Sequence, residues 1–140
     1  MRRMYLTIRA FILTAVAIAC LLFCYALAHS PVFEGGERYE FYKGSSSEEA
    51  VLSRTPYEKL LLQGVKGESA RYTGDRAEEI IEQFQAEVLF TEKAAGVINY
   101  YCYSPVLGSA VCIGDKRVNL HIACNGEQTA AGTPVIFGGF

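Results

Sequence analysis

The first 29 residues of this chain hold no acid, and no charge of either sign interrupts Phe11 to Ala28. Such a stretch does not suit the surface of a soluble domain, where contiguous apolar patches of this size are rare. Histidine is also scarce, with only His29 and His121, and neither a C-x-x-C nor an H-x-H spacing occurs. Zinc ribbons, thioredoxin-like redox motifs and histidine-pair metal sites are therefore not indicated. Three cysteines follow residue 29: Cys102, Cys112 and Cys124. An odd number without close spacing does not describe a disulfide scaffold, though one bridge among the three, of unassigned pairing, stays open. There is no internal repeat, no low-complexity tract and no phosphate-binding glycine loop. Gly132-Thr133-Pro134 and Gly138-Gly139 read as turn and terminal chain.

What stands in place of the missing charges is an apolar helix. Eighteen residues at about 1.5 Å each rise about 27 Å, close to the hydrocarbon thickness of a bilayer. Arg2, Arg3 and Arg9 precede it and the next base is Arg38. The positive-inside bias then keeps the N-terminus in the cytoplasm and carries residues 30–140 across. Two readings of residues 1–29 remain. As a signal peptide, the segment ends in Ala26-Leu27-Ala28, a small-x-small site that would release His29 onward. As a retained anchor through residues 11–28, it is just long enough to span, and Tyr25 suits the interface. Lipidation at Cys20 would leave Leu21 to Ala28 as an apolar tail and is set aside.

Residues 30–140 carry ten Lys and Arg against fifteen Asp and Glu, a net charge of −5. That sign argues against a sequence-independent grip on nucleic acid. The chain divides into a signal peptide or anchor (1–29), a linker (30–36) with Gly35-Gly36 as its flexible point, and one extracytoplasmic domain (37–140). Arg38 to Lys43 alternates charged and aromatic residues as a half-buried strand does. Ser46 or Ser47 caps a short turn through Arg54. Tyr57 to Gln63 and Ser69 to Tyr72 read as extended. The main helix covers residues 75–85: Asp75 and Glu78 form a capping box, and Ala77, Ile80, Ile81 and Phe84 recur on one face. Glu78, Glu79 and Glu82 form its solvated side.

From Glu87 onward the pattern is strands. Val88 to Thr91 and Val97 to Ser104 make one hairpin, turning at Lys93 to Gly96. Ala110 to Ile113 and Arg117 to Cys124 make a second. Asn125-Gly126 signals a type I′ turn, and a last strand from Glu127 to Phe137 is interrupted near Gly132 and Pro134. The order gives an α+β fold, an antiparallel sheet packed by one main helix.

Asn99, Tyr101 and Tyr103 share one strand face that could stack a ligand or a partner side chain. Asn119 and His121 share a face of the neighbouring strand. Cys112 could approach His121, which gives a second reading: a small-ligand, peptide-binding or hydrolytic domain using His121, Asn119 and Cys112. No nucleophile–base pair at working spacing, no metal-ligand set and no cofactor signature is evident, so the leading expectation is a non-enzymatic interaction module.

The closing segments Val118-Asn119-Leu120-His121-Ile122-Ala123 and Gly132-Thr133-Pro134-Val135-Ile136, with Tyr103-Ser104-Pro105 before them, resemble the end of the YwmB-like family. The likeness spans about the last fifty residues and rests on strand-and-turn motifs. It implies an exported protein of the kind found in spore-forming Gram-positive bacteria, with a link to sporulation; the unidentified envelope partner is expected instead from the export signal and the aromatic face of Asn99, Tyr101 and Tyr103. It also implies a curved antiparallel sheet of the TATA-box-binding-protein type. DNA binding does not follow, because the domain is acidic and extracytoplasmic.

Overall fold

The computed structural model describes residues 2–44 and 50–138, with side chains from residue 7 onward. The caps expected at Ser46 or Ser47 lie outside the described residues, and the short turn expected to continue through Arg54 is instead a β-strand over Ala50–Ser53, paired with Arg38–Tyr42. The chain forms two compact units, Met1–Ser30 and Pro31–Phe140. The first is helix α1, Arg2–Ala28. Thr7–Ala28 is long and apolar enough to be a transmembrane or signal helix. Phe11, Leu13, Leu21 and Leu22 are exposed along it. Its last carbonyls are satisfied locally: His29 N–H and Ser30 Oγ–H donate to Tyr25 O and Leu27 O, and the His29 ring stacks on Tyr25.

The second unit is α+β. Its strands are β1 (Arg38–Tyr42), β2 (Ala50–Ser53), β3 (Gly67–Thr73), β4 (Glu87–Ala94), β5 (Val97–Tyr103), β6 (Val111–Ile113), β7 (Lys116–Val118), β8 (Leu120–Cys124) and β9 (Gln128–Thr133). Seven of them form one sheet in the order β2-β1-β3-β9-β8-β5-β4, every neighbouring pair antiparallel; β6 and β7 form a separate ribbon. Helix α2 (Ala77–Gln83) lies between β3 and β4 in sequence.

Register assigns the side chains to two faces, because alternate residues of a strand point oppositely. One face carries the row Tyr39, Ala70, Ala131, Ile122 and Tyr100. Over it pack Ala77, Ile80 and Phe84 of α2, together with Phe33, whose ring meets Phe84 edge-on at 5.5 Å. The expected apolar stripe thus buries against the sheet. The start of α2 differs from expectation. Asp75 Oδ1 accepts from Ala77 N–H, not from Glu78, and the Thr129 hydroxyl of β9 accepts from Arg76 N–H while donating to Gly74 O. Ser104 Oγ–H donates to Phe84 O at the other end. A seven-residue helix has too few internal hydrogen bonds to stand alone, so tertiary side chains fix both of its ends.

Three further expectations are corrected. Tyr57 to Gln63 is not extended: Pro56–Leu61 is a 3₁₀ helix with Thr55 as its N-cap and Pro56 in the first turn. Asn125-Gly126 is not a type I′ turn, because only Gly126 has positive φ; Asn125 Oδ1 instead accepts from the amides of Glu127 and Gln128. The two-residue turn with positive φ at both positions is Ala95-Gly96, between β4 and β5. Arg117 to Cys124 is not one strand, since it breaks at Asn119 between ribbon and sheet.

Residues 30–36 are not a free linker beyond Ser30. Val32 and Phe33 amides both donate to Glu68 Oε1, and Phe33 is 1% exposed. Glu68 Oε2 finds no well-directed hydrogen bond but sits 2.5 Å from Lys59 Nζ of the 3₁₀ helix, so the buried carboxylate is compensated as an ion pair. Phe33 therefore acts as a core residue. Phe33→Ala is expected to lower the unfolding free energy by about 3–5 kcal/mol. Urea denaturation of the full chain in detergent measures it, and a loss below about 1 kcal/mol would return the segment to linker status.

Candidate functional site

The opposite sheet face carries a second row, Glu40, Ser69, Gly132, His121, Tyr101 and Phe90, each facing the next across a strand pair. Three of these rings stack. Phe90 and Tyr101 lie 4.5 Å apart at 13°, and Tyr101 and His121 lie 4.5 Å apart at 10°. Asn99 stands beside them with its Oδ1 3.1 Å from His121 Nε2. On the far side of the imidazole, Ile136 N–H points at Nδ1 across 3.3 Å. A backbone amide can only donate, so Nδ1 is the bare nitrogen and the proton resides on Nε2, donating to Asn99. Burial pushes the His121 imidazole down to about 4.

The structure thus groups the candidates differently from the sequence reading: Asn99 and Tyr101 stand with His121, which the sequence joined to Asn119 and Cys112, and the three engage one another. Both faces of the Tyr101 ring are covered by neighbours, and its hydroxyl points to Glu92 across 3.4 Å. Burial first, and Glu92 second, hold its phenol above the ordinary range. Stacked rings present their edges outward, so Tyr101 offers no open ring face to a ligand.

Asn119 leaves the group. It is fully buried, its Oδ1 accepts from Ser104 N–H at 2.7 Å, and its Nδ2 donates to Ser104 O and Leu107 O. It closes the loop from Ser104 to Leu107 onto the strand break. Cys112 sits exposed on the β6–β7 ribbon opposite Arg117, while Cys102 and Cys124 are buried; all three thiols are free. Burial raises the Cys102 thiol to about 11, the opposite of what a nucleophile needs.

Tyr103 lies apart from the stack. With Glu87, Leu89, Lys116 and Arg117 it lines an open recess of about 270 Å³ where β4, β5 and the ribbon meet. Leu89 is the extra residue of a β-bulge in β4, and Lys116 Nζ–H donates to its carbonyl. Two cations at this recess stand out in a domain of net charge −5. The sequence pattern did not expose it, because Lys116 and Arg117 approach β4 only through the ribbon. Among the described residues, no group of three or more His, Cys, Asp or Glu side chains is placed to hold a metal ion.

No family model, no curated protein and no solved structure matches this chain. Fold and surface define it by class alone: an α+β domain behind a transmembrane or signal helix.

The reading of Asn119 as a structural clamp has a measurable consequence. Asn119→Ala strands one amide and two carbonyls in the interior, so a loss of about 2–4 kcal/mol in unfolding free energy is expected from chemical denaturation. Stability within about 0.5 kcal/mol of the parent would show that the loop closes without it.

Proposed function

We propose that this chain is a membrane-anchored or secreted interaction module of the bacterial cell envelope, whose domain works outside the cytoplasmic membrane. The observation that carries the reading is the apolar helix Thr7–Ala28 placed ahead of an acidic domain, with bases concentrated on its N-terminal side. The likeness of the closing segments to the YwmB-like family supports the same exported setting and a link to sporulation. The partner is a protein of the envelope, met at the recess around Tyr103, where Lys116, Arg117, Leu89 and Glu87 give charge and apolar contact together. The hydrolytic alternative draws no support from the geometry: both His121 nitrogens are committed, Asn119 is buried in a loop, and Cys112 sits on the ribbon.

Three measurements test the proposal. A photocrosslinking residue at position 103, introduced in cells, is expected to capture an envelope protein, and the double reversal Lys116→Glu, Arg117→Glu to remove that product. Crosslinking that is absent, or indifferent to the reversal, discards this surface. Mass spectrometry of the mature N-terminus separates the two forms, a start at His29 meaning release and a start at Met1 meaning an anchor. A domain protected from protease added to spheroplasts, but digested on lysis, overturns the exported location itself.

A further inference from the structure

The chain does not stop at the end of β9. After Thr133 it turns back, and residues 134–138 lie along the sheet face that holds Glu40, Gly132 and His121. Two glycines make room for this strap. A Cβ on Gly132 would come within 2.8 Å of the Ile136 side chain, and one on Gly67 within 3.1 Å of the Phe137 ring. Phe137 also meets Tyr42 edge-on at 5.2 Å. At the far end, the Tyr42 hydroxyl donates to Glu40 Oε2, and Gly138 lies against both groups, a Cβ there falling 3.0 Å from Glu40 Oε2 and 3.3 Å from the Tyr42 hydroxyl. At the near end, the strap's polar tie to the sheet is Ile136 N–H on the bare Nδ1 of His121.

We propose that residues 134–138 form an acid-sensitive strap, closed while His121 is neutral and released when a proton takes the Nδ1 position that Ile136 N–H occupies. A protonated imidazole has two N–H donors and no acceptor, so the amide of Ile136 would face a donor. The charge would also lie in a buried slot between Tyr101 and Gly132. Other charged groups do not supply a counterion at the ring. From β5 it faces Asn99 and Tyr101, with Glu92 of β4 at the distal Tyr101 hydroxyl. From β9 it faces Gly132. Glu40 of β1 lies at the other end of the strap, paired with Arg38 and Arg71 and bonded to Tyr42.

The direction of the effect follows from linkage. The folded imidazole sits at about 4 and an exposed one near 6.5. The closed state is therefore fully favoured above 6.5 and loses ground as pH falls toward the folded value. Each pH unit in that window shifts the closed-to-open ratio by about tenfold. The window reaches mildly acidic conditions even though the folded ring resists protonation to lower pH.

Hydrogen exchange of the Ile136 amide in the full chain in detergent, corrected for the intrinsic pH dependence of exchange, reads the opening constant directly. It is expected to rise about fortyfold between pH 6.5 and 4.5. His121→Asn, whose Oδ1 can accept from Ile136 but does not titrate, should make it flat. A flat wild-type profile, or a slope that persists in H121N, overturns the strap. A persisting slope would place the sensitivity at Glu40 instead. Should H121N fail to fold, Phe137→Ala supplies an independent reading by reciprocity. Loosening the strap must raise the His121 titration midpoint, followed by ring NMR, toward 6.5, and an unchanged midpoint overturns the proposal.

Discussion

The domain depends on a central strand that must be covered on both faces. β9 lies between β3 and β8, and every residue from Thr129 to Thr133 is buried. Its sequence, Gln-Thr-Ala-Ala-Gly-Thr, is almost without bulk. Strands sandwiched between layers are ordinarily rich in Val, Ile and Leu. Small residues serve here because large side chains arrive from elsewhere: Phe33, Ile80 and Phe84 over one face, Ile136 and Phe137 over the other. Interiors pack at crystal-like density, so bulk on the strand and bulk above it compete for one volume. Thr129 adds the polar fixing of α2 from the same strand.

Covering both faces has a second consequence, the burial of polar groups. Glu40, Glu68, Asn119 and Thr129 are all enclosed. Each is matched: Glu68 by two amides and Lys59, Glu40 by Tyr42, Arg38 and Arg71, and Asn119 by three backbone groups. Arg38 and Arg71 face each other across β1 and β3, a like-charge pair that costs stability unless an anion intervenes. Glu40 is that anion, reaching Arg38 at 3.6 Å and Arg71 at 3.5 Å. Its hydrogen bond and burial together drive the Tyr42 phenol up to about 12, burial being the larger cause. The polar network thus serves packing, because it lets charged strands approach within a core.

Elements whose signal is local periodicity were legible in the sequence. The strand at Arg38 to Lys43, the Ala77-Ile80-Ile81-Phe84 stripe and the Val97 to Ser104 strand all lie where pattern places them, but the first is not half-buried as its alternation suggests, since Tyr39 to Tyr42 are buried on both faces. What failed depended on partners distant in sequence, or on local side-chain bonds that periodicity does not encode. Phe33 reads as linker beside Gly35-Gly36, yet Glu68 draws it inward from 35 residues away. Asn119 reads as one more residue of an alternating strand, while its side chain replaces the ladder for a loop. Asn125-Gly126 carries the dipeptide of a type I′ turn, but a side-chain bond to two amides stabilises a different one. At the site, strand parity put Asn99 and Tyr101 on one face, but the β5–β8 register that sets His121 beside Tyr101 was not read from it. Parity could not reveal that the three satisfy one another, because the stacking depends on the register between strands and the tautomer on the strap.

That mutual engagement narrows where another protein can dock. A free sheet edge is a common template for association, and this sheet has two. β2 has four residues, too few for a long ladder. β4 is longer but carries a bulge at Leu89, with Glu87, Glu92 and Lys93 along it and Lys116 bonded to the bulge carbonyl. Short strands, bulges and edge lysines are the devices by which soluble sheets avoid pairing. The tyrosine face is closed to stacking by its own rings. A partner that meets this end of the sheet therefore gains little from backbone pairing or ring stacking. The recess lies where the bulge at Leu89 meets Lys116, Arg117 and Tyr103, so the irregularity that protects the edge also shapes the surface proposed above for a partner.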